Sequence, residues 1–128
     1  MKVSELMQAP VHSIRFDATL QDFDQLLLEQ NISGAPVLAA DGELLGLVSK
    51  TDVVRSYNED PLIFQRGLKI WEIMTTEVLV VPSEQDVRET ARKMREARLH
   101  RVLVCDGGEL LGVVSSFDFL SVVADDLA

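Results

Sequence analysis

Apolar residues along this chain come in short bursts whose spacing alternates between two periods, and the changes of period mark the elements. Residues 11–14 and 78–81 are β-branched apolar runs of strand length. A helical pattern follows each. Leu20, Phe23 and Leu27 share one face, as do Val87, Ala91 and Met94. Thr19 with Asp22, and Asp86 with Glu89, stand at capping-box spacing, in which the first side chain accepts from a free backbone N–H and the acid three residues on answers it. The helices are predicted to stop at Asn31, a residue that tolerates the left-handed conformation, and near Arg98. Runs 35–38 with 44–48, and 102–105 with 110–114, read as strand pairs joined by Asp41-Gly42 and Asp106-Gly107-Gly108, both hairpin signals. A last helix starts at Ser49 or Ser115 and carries Val53, Val54 and Tyr57, or Phe119, Leu120 and Val123. The predicted plan is β-α-β-β-α, met twice.

The repetition extends to residue identity. Gly42-Glu43-Leu44-Leu45-Gly46-Leu47-Val48-Ser49-Lys50-Thr51-Asp52 recurs as Gly108-Glu109-Leu110-Leu111-Gly112-Val113-Val114-Ser115-Ser116-Phe117-Asp118, with eight of eleven positions identical at an offset of 66. Lys2-Val3-Ser4-Glu5-Leu6-Met7 matches Lys69-Ile70-Trp71-Glu72-Ile73-Met74 at an offset of 67. A one-residue slip at the Asp41 and Asp106 turns reconciles the two offsets. The chain is therefore a duplication of a unit of roughly sixty residues, 1–57 and 69–128, with a linker over 58–68. Units that small hold little core each, so they are expected to pack against one another.

Composition narrows the classes. The 128 residues are 47% hydrophobic and 26% charged, a globular composition. Net charge is −9, from 21 acidic and 12 basic side chains, and the pI is near 4.6. Such a surface repels nucleic-acid polymers and anionic lipid headgroups. A single cysteine, Cys105, excludes an internal disulfide, and two histidines exclude a conventional Cys/His zinc site. The apolar runs are too short to span a bilayer, and residues 1–11 lack a signal-peptide core. A cytoplasmic protein is expected. Met1 and the acidic tail Asp125-Asp126-Leu127-Ala128 favour a complete small protein.

The motif that bears chemistry is Gly-h-h-Ser-x-x-Asp (h apolar), at Gly46 to Asp52 and at Gly112 to Asp118. It places a hydroxyl where a strand becomes a helix and a carboxylate one turn later. Free N–H groups at that junction favour anions, and a carboxylate there can accept both vicinal hydroxyls of a ribose. Ser-x-x-Asp is equally a capping box that needs no ligand, and duplication would copy a cap as well as a site. The motif alone admits both readings.

Leu6-Met7, Val11, Thr19-Leu20, Ile32-Ser33-Gly34-Ala35-Pro36-Val37 and Gly46-Leu47-Val48-Ser49-x-x-Asp52, answered by Ile73-Met74, Val78, Leu99-His100-Arg101-Val102 and Gly112-Val113-Val114-Ser115-x-x-Asp118, form an ordered set over most of the chain. That set resembles a tandem pair of cystathionine-β-synthase (CBS) domains, a Bateman module. The resemblance implies an α/β (α+β) fold of two β-α-β-β-α units packed through their sheets with pseudo-twofold symmetry. It implies clefts between the units that bind adenosine compounds (AMP, ADP, ATP or S-adenosylmethionine), further pairing into a four-unit homodimeric disc, and regulation of a partner. It assigns Asp52 and Asp118 to ribose hydroxyls, with Ser49 and Ser115 beside them. Val11 and Val78 would flank an adenine and Thr76 would add a polar contact. Ser33, Gly34, Ala35 and Pro36 match the stretch that lets a nucleotide approach. At the equivalent place in the second repeat stand His100 and Arg101, which with Lys50 would face phosphate. The chain departs from the pattern at Arg15, where Pro82 supplies the usual proline, and at Arg98, where Asn31 supplies the residue tolerant of a left-handed turn.

Charge patterning agrees with a phosphate. Arg88, Arg92, Lys93, Arg95, Arg98 and Arg101 make up half of the Lys and Arg, with Glu89 and Glu96 alone among them. Residues 88–95 read as a solvated helix face with i,i+3 and i,i+4 pairs. Arg101 and His100 enter a strand, where a guanidinium can bind phosphate bidentately and an imidazole titrates near neutrality. His12 reads as structural or as a lining residue. An enzyme fares badly. The chain has no Gly-x-x-x-x-Gly-Lys-Ser/Thr loop and no Gly-x-Gly-x-x-Gly fingerprint, and Cys105 lies mid-strand as a small hydrophobe. The leading expectation is a non-catalytic sensor of an adenosine-containing nucleotide, with no catalytic and no metal-binding residues. The alternatives are a dimerisation or interaction module with empty clefts, an S-adenosylmethionine sensor, and a regulatory piece of a larger enzyme or transporter.

Overall fold

A computed structural model describes residues 1–127; Ala128, the end of the acidic tail, lies outside the described residues. The elements run β1 (Ile14–Arg15), α1 (Leu20–Gln30), β2 (Gly34–Leu38), β3 (Leu44–Ser49), α2 (Lys50–Glu59), β4 (Val80–Val81), α3 (Val87–Ala97), β5 (Arg101–Asp106), β6 (Glu109–Ser115) and α4 (Phe119–Leu127). Short 3-10 turns at Val3–Glu5, Ile70–Glu72 and Ser116–Asp118 complete them. The strands form two three-stranded sheets, ordered β1-β2-β3 and β4-β5-β6, with a parallel first pair and an antiparallel second pair in each. The β-α-β-β-α plan holds in both halves.

Local chemistry explains the helix ends. Thr19 Oγ1 accepts from Asp22 N at 3.1 Å and Asp22 Oδ2 accepts from Thr19 N at 3.0 Å, a reciprocal cap at the start of α1. On α3 the Asp86 carboxylate accepts from Arg88 N and Glu89 N, so that cap runs one way. Asn31 closes α1 at φ 51°, and Arg98 closes α3 at φ 56°. Arg98 thus takes the left-handed turn although its Cβ is disfavoured there. The hairpins turn at Gly42 and at Gly107-Gly108, all with positive φ.

The first strands are shorter than the apolar runs suggest. Pairing begins at Ile14 and Val80, so Val11 and Val78 precede the sheets. Register sets this limit: β1 meets β2 at Val37 and Leu38, beyond Pro36, which has no N–H to give a neighbouring strand.

The compact units do not coincide with the sequence repeats. One comprises His12–Glu77, and the other joins Met1–Val11 to the chain from Val78 on. We call them the central and the split unit. The leading segment of each repeat bonds to the turn before the first helix of the other. Val3 N donates to Gln85 O at 2.8 Å and Ser4 N to Ser83 O at 3.1 Å. At the matching positions Ile70 N donates to Ala18 O and Trp71 N to Phe16 O. Burial follows this exchange. Val3 packs with Val81, Met94, Val102, Val104 and Val114. Ile70 and Ile73 pack with Ile14, Leu20, Phe23, Leu27, Val37 and Val48. Residues 58–68 differ from a solvated linker, because Ile63 is buried in the central core with Phe64 and Leu68 against it. Each fully buried aliphatic side chain contributes about 1.5–3 kcal/mol, which ties these segments to the unit they enter.

Candidate functional site

Both copies of Ser-x-x-Asp fold as the sequence predicts, at the junction of a strand and a helix. In the central unit Ser49 ends β3 and caps α2. Asp52 Oδ2 accepts from Ser49 N at 2.8 Å and from Ser49 Oγ at 3.1 Å, while Asp52 N donates to Ser49 Oγ at 3.4 Å. Asp52 Oδ1 accepts from Thr75 Oγ1 at 3.2 Å and from the Arg55 guanidinium. Asp52 is 4% exposed.

In the split unit Ser115 ends β6. Asp118 Oδ2 accepts from Ser115 N at 2.7 Å and from Ser115 Oγ at 3.2 Å. Asp118 Oδ1 accepts from the Gln8 side-chain amide at 2.9 Å. Gln8 and Thr75 are equivalent in the two repeats, so each carboxylate meets the leading segment of the other repeat. Asp118 is half-buried, more open than Asp52.

The glycine that opens the motif permits this approach. Thr75 N donates to Leu47 O at 2.8 Å and Leu47 N to Thr75 O at 2.9 Å, and a Cβ on Gly46 would lie 2.4 Å from that Thr75 oxygen. In the split unit Gln8 and Val113 exchange the same bonds, and a Cβ on Gly112 would meet the Met7 side chain at 2.5 Å.

Around Asp52 the structure gathers Ser49, Lys50, Ser33 and Gly34: Gly34 stands opposite Ser49 in the ladder, and Lys50 N donates to Ser33 O at 2.9 Å. Ala35 and Pro36 are buried within β2, and Ala35 belongs to the core cluster. Thr76 is exposed beside Thr75, and Thr75 is the residue that reaches Asp52. Around Asp118 stand Ser115, Arg101 and His100: Arg101 is opposite Ser115 in the ladder, and Ser116 N donates to His100 O at 2.7 Å. Arg101 is half-buried and His100 exposed. Val11 belongs to the split unit with Asp118 rather than to the unit of Asp52. Val78 follows Glu77, the last residue of the central unit, and is itself counted with the split unit.

Sequence reasoning missed Gln8, Thr75 and Arg55. Arg55 carried a signal, being three residues after Asp52 on a helix. Gln8 and Thr75 carried none, because their role depends on the exchange of segments. At the edge of the central unit Arg15 forks onto Asp17, with Nε at 3.1 Å and Nη2 at 2.9 Å. Arg88, Arg92, Arg95 and Arg98 lie exposed on or just after α3, as expected of a solvated face. Burial, with the charge of Asp106 adding to it, pushes the Cys105 thiol up from its ordinary value, away from thiolate chemistry at neutral pH. Among the described residues, no group of three or more His, Cys, Asp or Glu could hold a metal ion, and no helix is long and apolar enough to cross a membrane.

The family model of the CBS domain matches residues 3–59 and again 70–125. The chain belongs to the CBS domain family. It carries two CBS domains in tandem, a regulatory module that is typically non-catalytic. An uncharacterised protein of Methanocaldococcus jannaschii is 25% identical over 126 residues, which cover 98% of this chain and 44% of that relative. The chain thus spans less than half the length of that protein. A CBS-domain protein of Burkholderia ambifaria matches in structure with a TM-score of 0.88 at 25% identity, over 100% of this chain and 97% of its own. The CBS domain pair of protein MJ0100, in complex with 5′-methylthioadenosine and S-adenosyl-L-methionine, matches with a TM-score of 0.87 at 22% identity, over 98% of each chain.

Proposed function

We propose that this CBS pair is a non-catalytic sensor that binds an adenosine-containing nucleotide, AMP, ADP or ATP, and passes its ligand state to a partner protein. The observation that carries the reading is the Asp118 station. There a half-buried carboxylate, oriented by Ser115, stands beside a strand that brings in Arg101 opposite Ser115. A carboxylate held by its neighbour's N–H and hydroxyl is set to accept a ribose diol, and a guanidinium at the same strand end supplies charge for a phosphate. In the central unit Lys50, whose backbone N–H donates to the Ser33 carbonyl, would supply the corresponding cation, and Ser33 the hydroxyl. Val11, Val78 and Thr76 would contact the base, and His100 would support Arg101. The ligand of the MJ0100 pair favours the same chemical class and leaves S-adenosylmethionine as an alternative that shares the adenosine part.

Calorimetry and thermal melting with AMP, ADP, ATP and S-adenosylmethionine test this reading. Heat and a raised melting temperature with a phosphorylated ligand are expected, since a ligand that binds the folded state stabilises it. No heat and no shift with any of them rejects it. A preference for S-adenosylmethionine moves the specificity to the alternative that carries no phosphate. The second reading, a dimerisation module indifferent to small molecules, is favoured by the exposed apolar residues of the final helices, Val54 and Tyr57 on α2 and Leu120 and Val123 on α4. It predicts a homodimer in light scattering whose melting does not respond to ligand. A cytoplasmic location accords with the regulatory reading.

A further inference from the structure

We propose that Arg55 closes the Asp52 station to a ribose, so that the chain binds nucleotide at Asp118 and holds the copy of the motif at Asp52 shut. The inference rests on the nucleotide reading above and names which of the two stations serves it. A carboxylate offers about four acceptor positions, two on each oxygen. At Asp52 all are engaged from within the chain. Oδ2 takes Ser49 N and Ser49 Oγ, and Oδ1 takes Thr75 Oγ1 and the Arg55 guanidinium. A diol arriving at Asp52 must displace a charge-assisted bond from a cation on the same helix, one turn away.

At Asp118 the inner oxygen is held in the same way, by Ser115 N and Oγ. The outer oxygen accepts from Gln8, a neutral and exposed amide that a diol can replace like for like. The position matching Arg55 is Ser121, and its hydroxyl turns away from the carboxylate to donate to Asp118 O at 2.9 Å. Beyond the exchange of Thr75 for Gln8, the two stations differ in the helical residue three positions after the carboxylate, Arg55 or Ser121. A cation occupies the acceptor in the central unit and a small hydroxyl leaves it to a ligand in the split unit. Bonds to charged groups are strong enough that this difference amounts to about ten- to hundredfold in affinity.

Titration of the full chain with AMP, ADP and ATP in a calorimeter decides the matter. The wild type is expected to take up about one nucleotide per chain, and Asp118→Ala to abolish it. Arg55→Ser should add a second binding event, which Asp52→Ala in the same chain removes. Ser121→Arg, a change at an exposed position, should weaken wild-type binding about ten- to hundredfold by supplying the missing cation. It carries the test even if Arg55→Ser fails to fold. A wild-type site removed by Asp52→Ala and spared by Asp118→Ala overturns the inference, as does Ser121→Arg binding like the wild type. A weakening of wild-type binding by Arg55→Ser also overturns it, because Arg55 would then be a ligand contact. Those results leave the nucleotide reading standing. Silence of wild type and Arg55→Ser alike towards all three nucleotides rejects that reading, and the inference with it.

Discussion

Gly46 is the residue through which the first repeat accepts the leading segment of the second. Leu47 and Thr75 exchange backbone bonds at 2.9 and 2.8 Å, which pins the Thr75 carbonyl oxygen over Gly46 Cα. An alanine methyl would meet that oxygen at 2.4 Å, and backbone held by two hydrogen bonds cannot swing aside as a side chain can. Any retreat of Thr75 also draws its hydroxyl from Asp52. Gly112 poses the milder case, because what a methyl would meet there is the flexible side chain of Met7. Gly46→Ala should therefore cost about 1–3 kcal/mol, in the range of overpacking, and Gly112→Ala less. Urea midpoints of the two variants check the order. Equal losses would mean that the Thr75 strand yields as freely as a thioether.

At the scale of elements, the caps show why some features were legible before the structure and others were not. The Thr19–Asp22 cap, the Asn31 and Arg98 stops and the glycine hairpins are decided by residues within a few positions of one another, so sequence spacing carries them. The lengths of β1 and β4 depend on where a distant strand offers partners, and they came out shorter than the apolar runs. The pairs Asp52–Thr75 and Asp118–Gln8 span the exchange and had no local signal, whereas Arg55 had one in its spacing. The cap on α1 also makes a prediction in pH. The Thr19 backbone N–H, followed by its hydroxyl, holds the Asp22 carboxyl below the ordinary 3.8, and the Ser83 hydroxyl and N–H do the same for Asp106. A carboxyl depressed in the folded state stabilises it above the unfolded value, and that contribution is lost as pH falls from about 3.8 through the folded value. Denaturant midpoints should fall with acidification in this window, and Asp22→Asn should make the fall shallower. Thr19→Ala should cost about 1 kcal/mol at neutral pH, the usual worth of such a cap. An acid slope unchanged by Asp22→Asn would show that the cap holds no differential bond to the ionised form.

For the whole molecule, the consequence of duplication is that neither repeat is a folding unit in its own right. Each supplies a 3-10 turn to the other: Val3 enters the core of Val81, Val102, Val104 and Val114, while Ile70 and Ile73 enter that of Leu20, Phe23 and Val37. The same exchange brings Gln8 to Asp118 and Thr75 to Asp52, so these contacts of the two carboxylates exist only when both leading segments have crossed. Perturbing one segment should therefore be felt in the sheet that is distant in sequence and spare the sheet that follows it directly. Val3 is fully buried, and truncating it leaves a cavity against β4 and β6 that should cost about 1–3 kcal/mol. Amide hydrogen exchange on Val3→Ala localises the loss, since protection reports the opening free energy of each segment. Protection should drop through residues 80–81 and 101–115, with residues 34–49 close to wild type. The opposite pattern, loss in β2 and β3 with β5 and β6 unaffected, would assign residues 1–11 to the repeat they begin and undo the exchange on which the geometry at Asp118 depends.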